Sequence, residues 1–227
     1  MRRARKKQLI VALAVVLAGA AGSFAFMLYK DRTYVPSPAY ERVTSGQAEV
    51  LVVYYSRTGN TEGAAREIAR FFDADLVRIE AARYTRDFAG WRHSANDARS
   101  DVTEVEISHP EVDPRRYKLV AVGSPVWLFR PAPPLWSFVQ SHRFDGAHVV
   151  LFNTFNSRFK DDELAKFRQL VEERGATWLE HLYVRRGRIY WQKSPAEVRG
   201  ELRQLLLEHR PTFDTVLQAP KAAPSVP

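Results

Sequence analysis

The chain has 227 residues, of which 45% are hydrophobic and 26% are charged, a composition typical of a globular rather than a disordered protein. It contains no Cys, which excludes disulfide frameworks, thiolate metal sites and cysteine nucleophiles. The formal net charge is +8, but six positive charges precede the first acid, Asp31, and leave +2 for the rest of the chain. Because the excess lies beside an apolar segment, it does not predict a nucleic-acid partner.

An uncharged apolar segment at residues 9–29 follows a basic tail at residues 1–8. As a helix, this segment spans about 32 Å, enough to cross a bilayer core of about 30 Å. A cleavable signal peptide with a small-residue site at 18–20 is the alternative, but the apolar run continues to Tyr29, which favours an uncleaved anchor. The five basic residues before it predict a cytoplasmic N-terminus and an exported body, on the periplasmic or extracellular side.

The rest of the chain divides into three predicted parts. Residues 30–48 contain Pro36, Pro38 and Gly46 with little periodicity, which predicts a linker. Residues 49–210 are predicted to form the folded domain. Residues 211–227, rich in Pro and Ala, are predicted to form a flexible tail.

Within the predicted domain, apolar β-type runs alternate with helical patterns. The strands are predicted at residues 50–55, 76–80, 119–122, 148–152 and 177–184. Helices are predicted at 61–72, 133–139 and 161–174, and a last one opens with Ser194, Pro195 and Glu197, the pattern of a capping box. Residues 81–114 predict one irregular helix and a long loop. This alternation predicts an α/β fold with a doubly wound, five-stranded parallel sheet.

The loop between the first strand and the first helix of this domain carries the clearest chemical signal. It consists of Ser56, Arg57, Thr58, Gly59, Asn60 and Thr61. A loop entering a helix N-terminus presents backbone N–H groups that favour an anion, and hydroxyl and amide side chains add further donors. The patterns GxxxxGK[ST] and GxGxxG are both absent, so the loop predicts a single monophosphate rather than a metal-bound polyphosphate. A capped turn without a ligand is the alternative.

The string YYSRTGNTE resembles the phosphate-binding fingerprint of the flavodoxins, and especially the flavodoxin-like family whose members begin with a VVYYSRTGNT segment. A second string, GSPVW followed by PAPP, resembles the loop of that family that lies along the isoalloxazine ring. The resemblance implies noncovalent FMN, with its phosphate in the first loop. It implies flavin contacts for Ser124, Pro125, Val126 and Trp127, and for Phe155 in the loop after the fourth strand.

Topology supports this pairing of loops. In a doubly wound sheet of order 2-1-3-4-5, strands one and three are neighbours, and their helices leave to opposite faces. The two matched loops therefore meet in one crevice. Trp127 has a simpler interpretation as a core aromatic, and Phe155 stands where flavodoxins carry other residues, so this half of the site departs from the family pattern.

Charge is a second departure from the family, because flavodoxins are generally strongly acidic. The predicted crevice contains Arg57 and Arg130, with Arg158 close to it, and a cation near the pyrimidine edge would favour a reduced flavin anion. Solvated surface arginines are the alternative interpretation. The six His residues lack metal-ligand spacing, so no metal site is predicted.

Three functional classes follow from these features. The first is a membrane-anchored electron-transfer module that exchanges electrons with redox partner proteins through bound FMN. The second is an FMN-dependent oxidoreductase of the NAD(P)H:quinone type, and the third is a tethered binding or sensor module without catalysis. The absence of GxSxG and HExxH patterns removes support for familiar hydrolases. No catalytic residue is predicted.

Overall fold

The computed structural model describes residues 2–187 and 191–221 and divides into two units, Met1–Tyr34 and Val35–Pro227. Its helices are α1 (Arg2–Arg32), α2 (Asn60–Phe72), α3 (Phe88–Arg99), α4 (Pro133–Ser141), α5 (Asp161–Glu173), α6 (Pro195–Glu208) and α7 (Arg210–Gln218). Its strands are β1 (Val50–Tyr55), β2 (Asp75–Ile79), β3 (Leu119–Trp127), β4 (Arg130–Pro131), β5 (His148–Phe155) and β6 (Thr177–Arg185).

The first unit consists mainly of α1. Within it, Arg5–Met27 is 23 residues long and has a mean hydropathy of 2.4, which is long and apolar enough to cross a membrane. A signal sequence meets the same criterion, so the helix fits both the predicted anchor and the predicted cleavable leader. The apolar helix is present as expected, and its topology stays a prediction.

The second unit is built on a parallel sheet of five strands in the order β2-β1-β3-β5-β6. Strand β4 has only two residues and pairs antiparallel with the end of β3. With β4 left uncounted, this is the predicted order 2-1-3-4-5. The first strand lies between its neighbours, with Val52 opposite Leu76 of β2 and Ala121 of β3. The doubly wound α/β fold is therefore confirmed.

Helices cover both faces of the sheet. All six residues of β1 are buried, and they alternate between two cores. Leu51 and Val53 pack on the side of α4 and α5, whereas Val52 and Tyr54 pack on the side of α2, α6 and α7. This double burial explains why β1 is an unbroken apolar run rather than an alternating one.

Strands β3 and β5 are longer than predicted, since they extend to Trp127 and Phe155 rather than to 122 and 152. The first of the additional residues are glycine or polar, namely Gly123, Ser124, Asn153 and Thr154, which suggested loops. However, Ser124 and Asn153 are both buried, and the Asn153 side-chain amide donates to the Ser124 carbonyl at 2.8 Å. Hydrogen bonding between the strands compensates the burial of these polar groups and keeps the chain extended.

The segment predicted as a linker at 30–48 differs from that prediction. Helix α1 extends to Arg32, and the second unit begins at Val35. Residues 35–44 have no helix or strand, but their backbone groups are bonded to α2 and the turn after it. Arg70 donates to the carbonyls of Pro38 and Ala39 at 2.6 and 2.8 Å. Irregular backbone can pack here because long arginine side chains satisfy its carbonyls.

The predicted flexible tail is also partly ordered, because Arg210–Gln218 forms α7. Pro211 suggested a break, but it lies in the first turn, where a helix tolerates a residue without an N–H. Phe213 is buried and packs edge-on against Phe72 of α2, with ring centroids 5.3 Å apart. The folded body therefore continues at least to Gln218.

Candidate functional site

The predicted phosphate loop connects β1 to α2 at the carboxyl edge of the sheet. Gly59 is the N-cap residue of α2 and has a left-handed backbone with φ of +84°, a conformation that favours glycine. Its N–H donates to Ser56 Oγ at 3.1 Å. No described side chain caps α2, so the positive end of the helix dipole and its first-turn N–H groups face this edge.

The side chains of the loop are already hydrogen-bonded. Asn60 Nδ2 donates to Thr58 Oγ1 at 3.0 Å. The hydroxyls of Thr61 and Thr154 are 2.9 Å apart, and both residues are buried. Thr154 lies near the end of β5, so this contact brings the first loop against the fourth parallel strand. The predicted convergence of loops thus includes a residue that sequence analysis missed.

The second matched string lies at the end of β3 rather than in a loop. Gly123 allows the Phe152 ring of β5 to pass close to the backbone, because a Cβ on Gly123 would lie 2.1 Å from that ring. Ser124 is fully buried, and its hydroxyl accepts a bond from the Ala132 N–H at 3.0 Å. Pro125, Val126 and Trp127 are only partly buried, so the exposed end of β3 begins there.

Trp127 lies in an aromatic cluster at this edge. Its ring meets those of Tyr55 and Tyr84 edge-on, with centroid distances of 5.7 and 5.0 Å. The guanidinium carbon of Arg57 lies 5.7 Å from the Trp127 ring centroid, within the range of a cation–π contact. Arg57 also donates to Ser94 Oγ of α3 at 3.3 Å. Both matched strings, Ser56–Thr61 and Gly123–Trp127, therefore contribute side chains to one cluster.

The irregular segment 81–114 supports this cluster. Tyr84 belongs to a short 3-10 helix, and its hydroxyl donates to Asp97 Oδ2 of α3 at 2.9 Å. Arg83 pairs with the same carboxylate at 2.6 Å, and these donors hold the pKa of Asp97 below its ordinary value. The segment contains one α-helix and a long loop, as predicted, together with short 3-10 turns. Tyr84 was not among the residues predicted to contact the cofactor.

Phe155 lies apart from Trp127 in the described contacts. Its ring neighbours are Phe159 and Tyr183, at centroid distances of 6.4 and 5.4 Å. The side chain is buried at the end of β5. The structure therefore does not bring Trp127 and Phe155 into one ring cluster, and the predicted flavin contact of Phe155 stays a prediction.

The expected role of Arg130 is wrong on structural grounds. The residue is buried, and its guanidinium lies 2.9 Å from Glu163 and 3.2 Å from Asp101. Two carboxylates neutralise the charge, so it is neither a solvated arginine nor a free attractor for an anion. Arg158 instead lies over the Phe129 ring, 4.9 Å from its centroid. Only Arg57 of the three arginines contacts the Trp127 cluster in the described contacts.

Two features of the site suit a polar ligand. Tyr55 is buried at the end of β1, and its hydroxyl has no hydrogen-bond partner among residues 2–187 and 191–221. Burial raises the pKa of this phenol, which keeps it as a neutral donor. An uncapped helix N-terminus and an unpaired buried donor are both groups that a bound ligand would satisfy. The described residues thus fit a phosphate-bearing ring ligand.

Comparisons with known proteins agree with this geometry. A flavodoxin family model matches residues 49–173, more than half of the chain. No curated protein sequence matches significantly. A flavoprotein of Bacteroides uniformis is 21% identical with a TM-score of 0.54, covering 70% of this chain and 99% of its own.

A flavoprotein of Bacteroides eggerthii is 22% identical with a TM-score of 0.51, and the match covers 70% of this chain and 98% of that protein. A flavoprotein of Lactobacillus acidophilus, solved in complex with FMN, is 21% identical with a TM-score of 0.50, covering 60% and 93% of the two chains. These structural likenesses establish a shared fold. With the matched family model, they show that this chain belongs to the flavodoxin family.

Proposed function

We propose that the chain binds FMN noncovalently, with the phosphate at the N-terminus of α2 and the flavin beside Trp127. The observation that carries this proposal is the Ser56–Thr61 loop, which joins an uncapped helix N-terminus to the aromatic cluster on one sheet edge. The Lactobacillus acidophilus flavoprotein, which shares the fold, was solved with FMN. Family membership supports the same cofactor here.

Different residues of this chain would bind the phosphate and the flavin ring. The first-turn N–H groups of α2 and the loop hydroxyls would hold the phosphate, because both donate to anionic oxygens and the helix dipole favours negative charge. The half-buried Trp127 offers an aromatic face, and offset stacking adds about 0.5 to 1.5 kcal/mol beyond area burial. FMN, when bound, supplies the electron-carrying chemistry, and the protein positions it.

For the whole protein we propose an electron-transfer module held at a membrane by α1 and serving redox partner proteins. Membership of the flavodoxin family and the apolar α1 support this role. One observation favours a second candidate, an FMN-dependent oxidoreductase that reduces a quinone with NAD(P)H. The cleft of about 660 Å³ bounded by Tyr55, Arg57 and Tyr84 of the proposed flavin site is open to solvent, so a small substrate would be able to reach the flavin there.

Titration calorimetry of the full-length protein in detergent micelles, with FMN, riboflavin and FAD, tests the binding proposal. We expect tight FMN binding, at least about tenfold weaker binding of riboflavin, and weak binding of FAD, because the loop is proposed to enclose a terminal phosphate. Thr61→Val should weaken FMN by about 1 kcal/mol, whereas Thr215→Val on exposed α7 should not. Equal affinity for FMN and riboflavin would contradict the phosphate site.

Stopped-flow mixing with NADH and NADPH distinguishes an electron-transfer module from an FMN-dependent oxidoreductase. An electron-transfer module should show slow direct reduction by either nucleotide and, once reduced by dithionite, rapid oxidation by an added cytochrome. Fast bleaching of the flavin by NADPH, followed by sustained quinone turnover, would instead establish the oxidoreductase.

A further inference from the structure

Residues 35–44 form a segment, here called the strap, that follows α2 from its first turn to the turn beyond its end. The strap lies outside the matched family region, which begins at residue 49. It has no helix or strand of its own. Its position therefore depends on its hydrogen bonds to the phosphate loop, to α2 and to the turn after α2.

At the first turn of α2, the strap bonds directly to the phosphate loop. The Val35 N–H donates to the Thr58 carbonyl at 2.9 Å. The N–H of the same peptide unit, on Gly59, donates to Ser56 Oγ at 3.1 Å. Both polar groups of the Thr58–Gly59 peptide are thus engaged, one by the strap and one by the loop itself.

Side chains of α2 fix the middle of the strap. Arg66 Nη1 donates to the Ser37 carbonyl at 2.7 Å and to Ser37 Oγ at 3.1 Å. A Cβ built on Gly63 would lie 3.5 Å from Ser37 Cβ, in ordinary contact, so the strap lies directly on this turn of the helix. Arg66 also pairs with the buried Glu62 at 2.5 Å, which fixes the arginine itself.

The far end of the strap is fastened where α2 ends. Tyr40 Oη donates to the Ala74 carbonyl at 2.7 Å. The N–H groups of Val43 and Thr44 donate to the Asp73 carboxylate at 2.7 and 2.9 Å. The hydrogen bond from the Thr44 hydroxyl and, to a smaller extent, these two backbone bonds hold the pKa of Asp73 below its ordinary value.

We propose that the strap is a positioning segment for the phosphate site, and this inference rests on the proposed FMN function. The carbonyl and N–H of one peptide point in opposite directions, so holding the Thr58 carbonyl toward the strap turns the Gly59 N–H toward the loop. A flipped peptide would present a carbonyl oxygen there, which repels an anion. The strap therefore makes phosphate recognition depend on residues that precede the matched family region.

The test compares Val35→Pro, which removes the N–H that bonds to Thr58, with Tyr40→Phe, which removes a strap bond at the other end of α2. Both are made in the full-length protein in detergent micelles, and the readout is the ratio of FMN to riboflavin affinity. We expect Val35→Pro to reduce this ratio about 3- to 10-fold and Tyr40→Phe to leave it unchanged. A general loss of stability would weaken both ligands together and leave the ratio constant.

Arg66→Lys is a second variant, because it keeps the positive charge near Glu62 but loses the arginine's contacts with Ser37. We expect a smaller reduction of the ratio, about 2- to 5-fold, and this variant decides the question if Val35→Pro does not fold. If the wild-type protein binds FMN more tightly than riboflavin and both variants keep the same affinity ratio, the strap inference is overturned and the proposed function stands. A wild-type protein without that preference would overturn both.

Discussion

Gly123 of β3 is paired with Phe152 of β5, and the space for a side chain is taken by the Phe152 ring. The site predicted beside it therefore depends on a missing Cβ. A glycine in a strand often marks such a close approach, although the sequence alone did not identify the partner ring. Ring packing from a neighbouring strand is a tertiary contact, which local patterns do not contain.

Gly123→Ala should destabilise the protein by about 1 to 3 kcal/mol, because the added methyl overlaps Phe152 and forces both strands to shift. Gly200→Ala is the matched control, since a Cβ there meets nothing within 4 Å on an exposed helix position. That variant should stabilise the protein by about 0.5 to 1 kcal/mol. Urea unfolding followed by near-ultraviolet circular dichroism measures both, and an unchanged Gly123→Ala would contradict the close packing.

At the scale of elements, local signals predicted the helix start of α6, although the linker, the tail and the ends of β3 and β5 differ from their predictions. The capping box of α6 is present, with Ser194 Oγ accepting from the Glu197 N–H at 3.2 Å and Glu197 accepting from the Ser194 N–H at 2.7 Å. The turn from β1 into α2 at Ser56–Thr61 was likewise predictable, because its turn residues are consecutive in the sequence, whereas its phosphate binding stays a prediction. The contributions of Tyr84 and Thr154 were not, since they depend on contacts between distant segments.

A hydrogen-bonded polar chain, buried at Ser124 and Asn153 and partly buried at His181, also links three strands. His181 Nε2 of β6 lies 2.9 Å from Asn153 Oδ1 of β5, and the Asn153 amide donates to the Ser124 carbonyl of β3. Because the Asn153 amide nitrogen is committed to Ser124, its oxygen accepts, and His181 carries its proton on Nε2. Burial lowers the pKa of His181 to about 4. The ring is therefore neutral at pH 7.

The low pKa of His181 in this hydrogen-bonded network predicts that the protein loses stability in mild acid. The unfolded state binds a proton on His181 near pH 6.5, whereas the folded state binds one only near pH 4, so stability falls as the pH drops through that window. Between pH 7 and pH 5 we expect a loss on the order of 1 to 2 kcal/mol. His181→Asn should remove this dependence. Urea unfolding at both pH values measures it, and equal losses in the two proteins would assign the acid sensitivity to other groups.

For the whole molecule, the excess positive charge is distributed unevenly along the chain. The excess of positive charge precedes Asp31, beside the apolar part of α1, and the rest of the chain is nearly balanced. This distribution is the basis of the predicted orientation, in which the basic N-terminus stays in the cytoplasm and the flavodoxin body is exported.

Reporter fusions after Val50 and after the C-terminus test that orientation, with one reporter active only inside the cell and another active only outside. We expect activity of the outside reporter alone at both positions. Activity of the inside reporter alone would reverse the topology. N-terminal sequencing of the mature protein is the second measurement, because a chain that begins near Ala21 would establish cleavage of the leader.

The strap has a mechanical consequence for a protein held by its N-terminus. The strap precedes β1 in the chain, so a force that pulls on the N-terminus acts on the bonds from Arg66 and Arg70 to the strap carbonyls before it acts on β1. Residues 35–49, once released, would span at most roughly 50 Å at about 3.3 to 3.6 Å per residue, so the chain would lengthen by less than that. If α1 anchors the protein, we expect tension to reach the strap before the sheet, and loss of the Val35–Thr58 bond to weaken the proposed phosphate site while β1 stays paired with its neighbours.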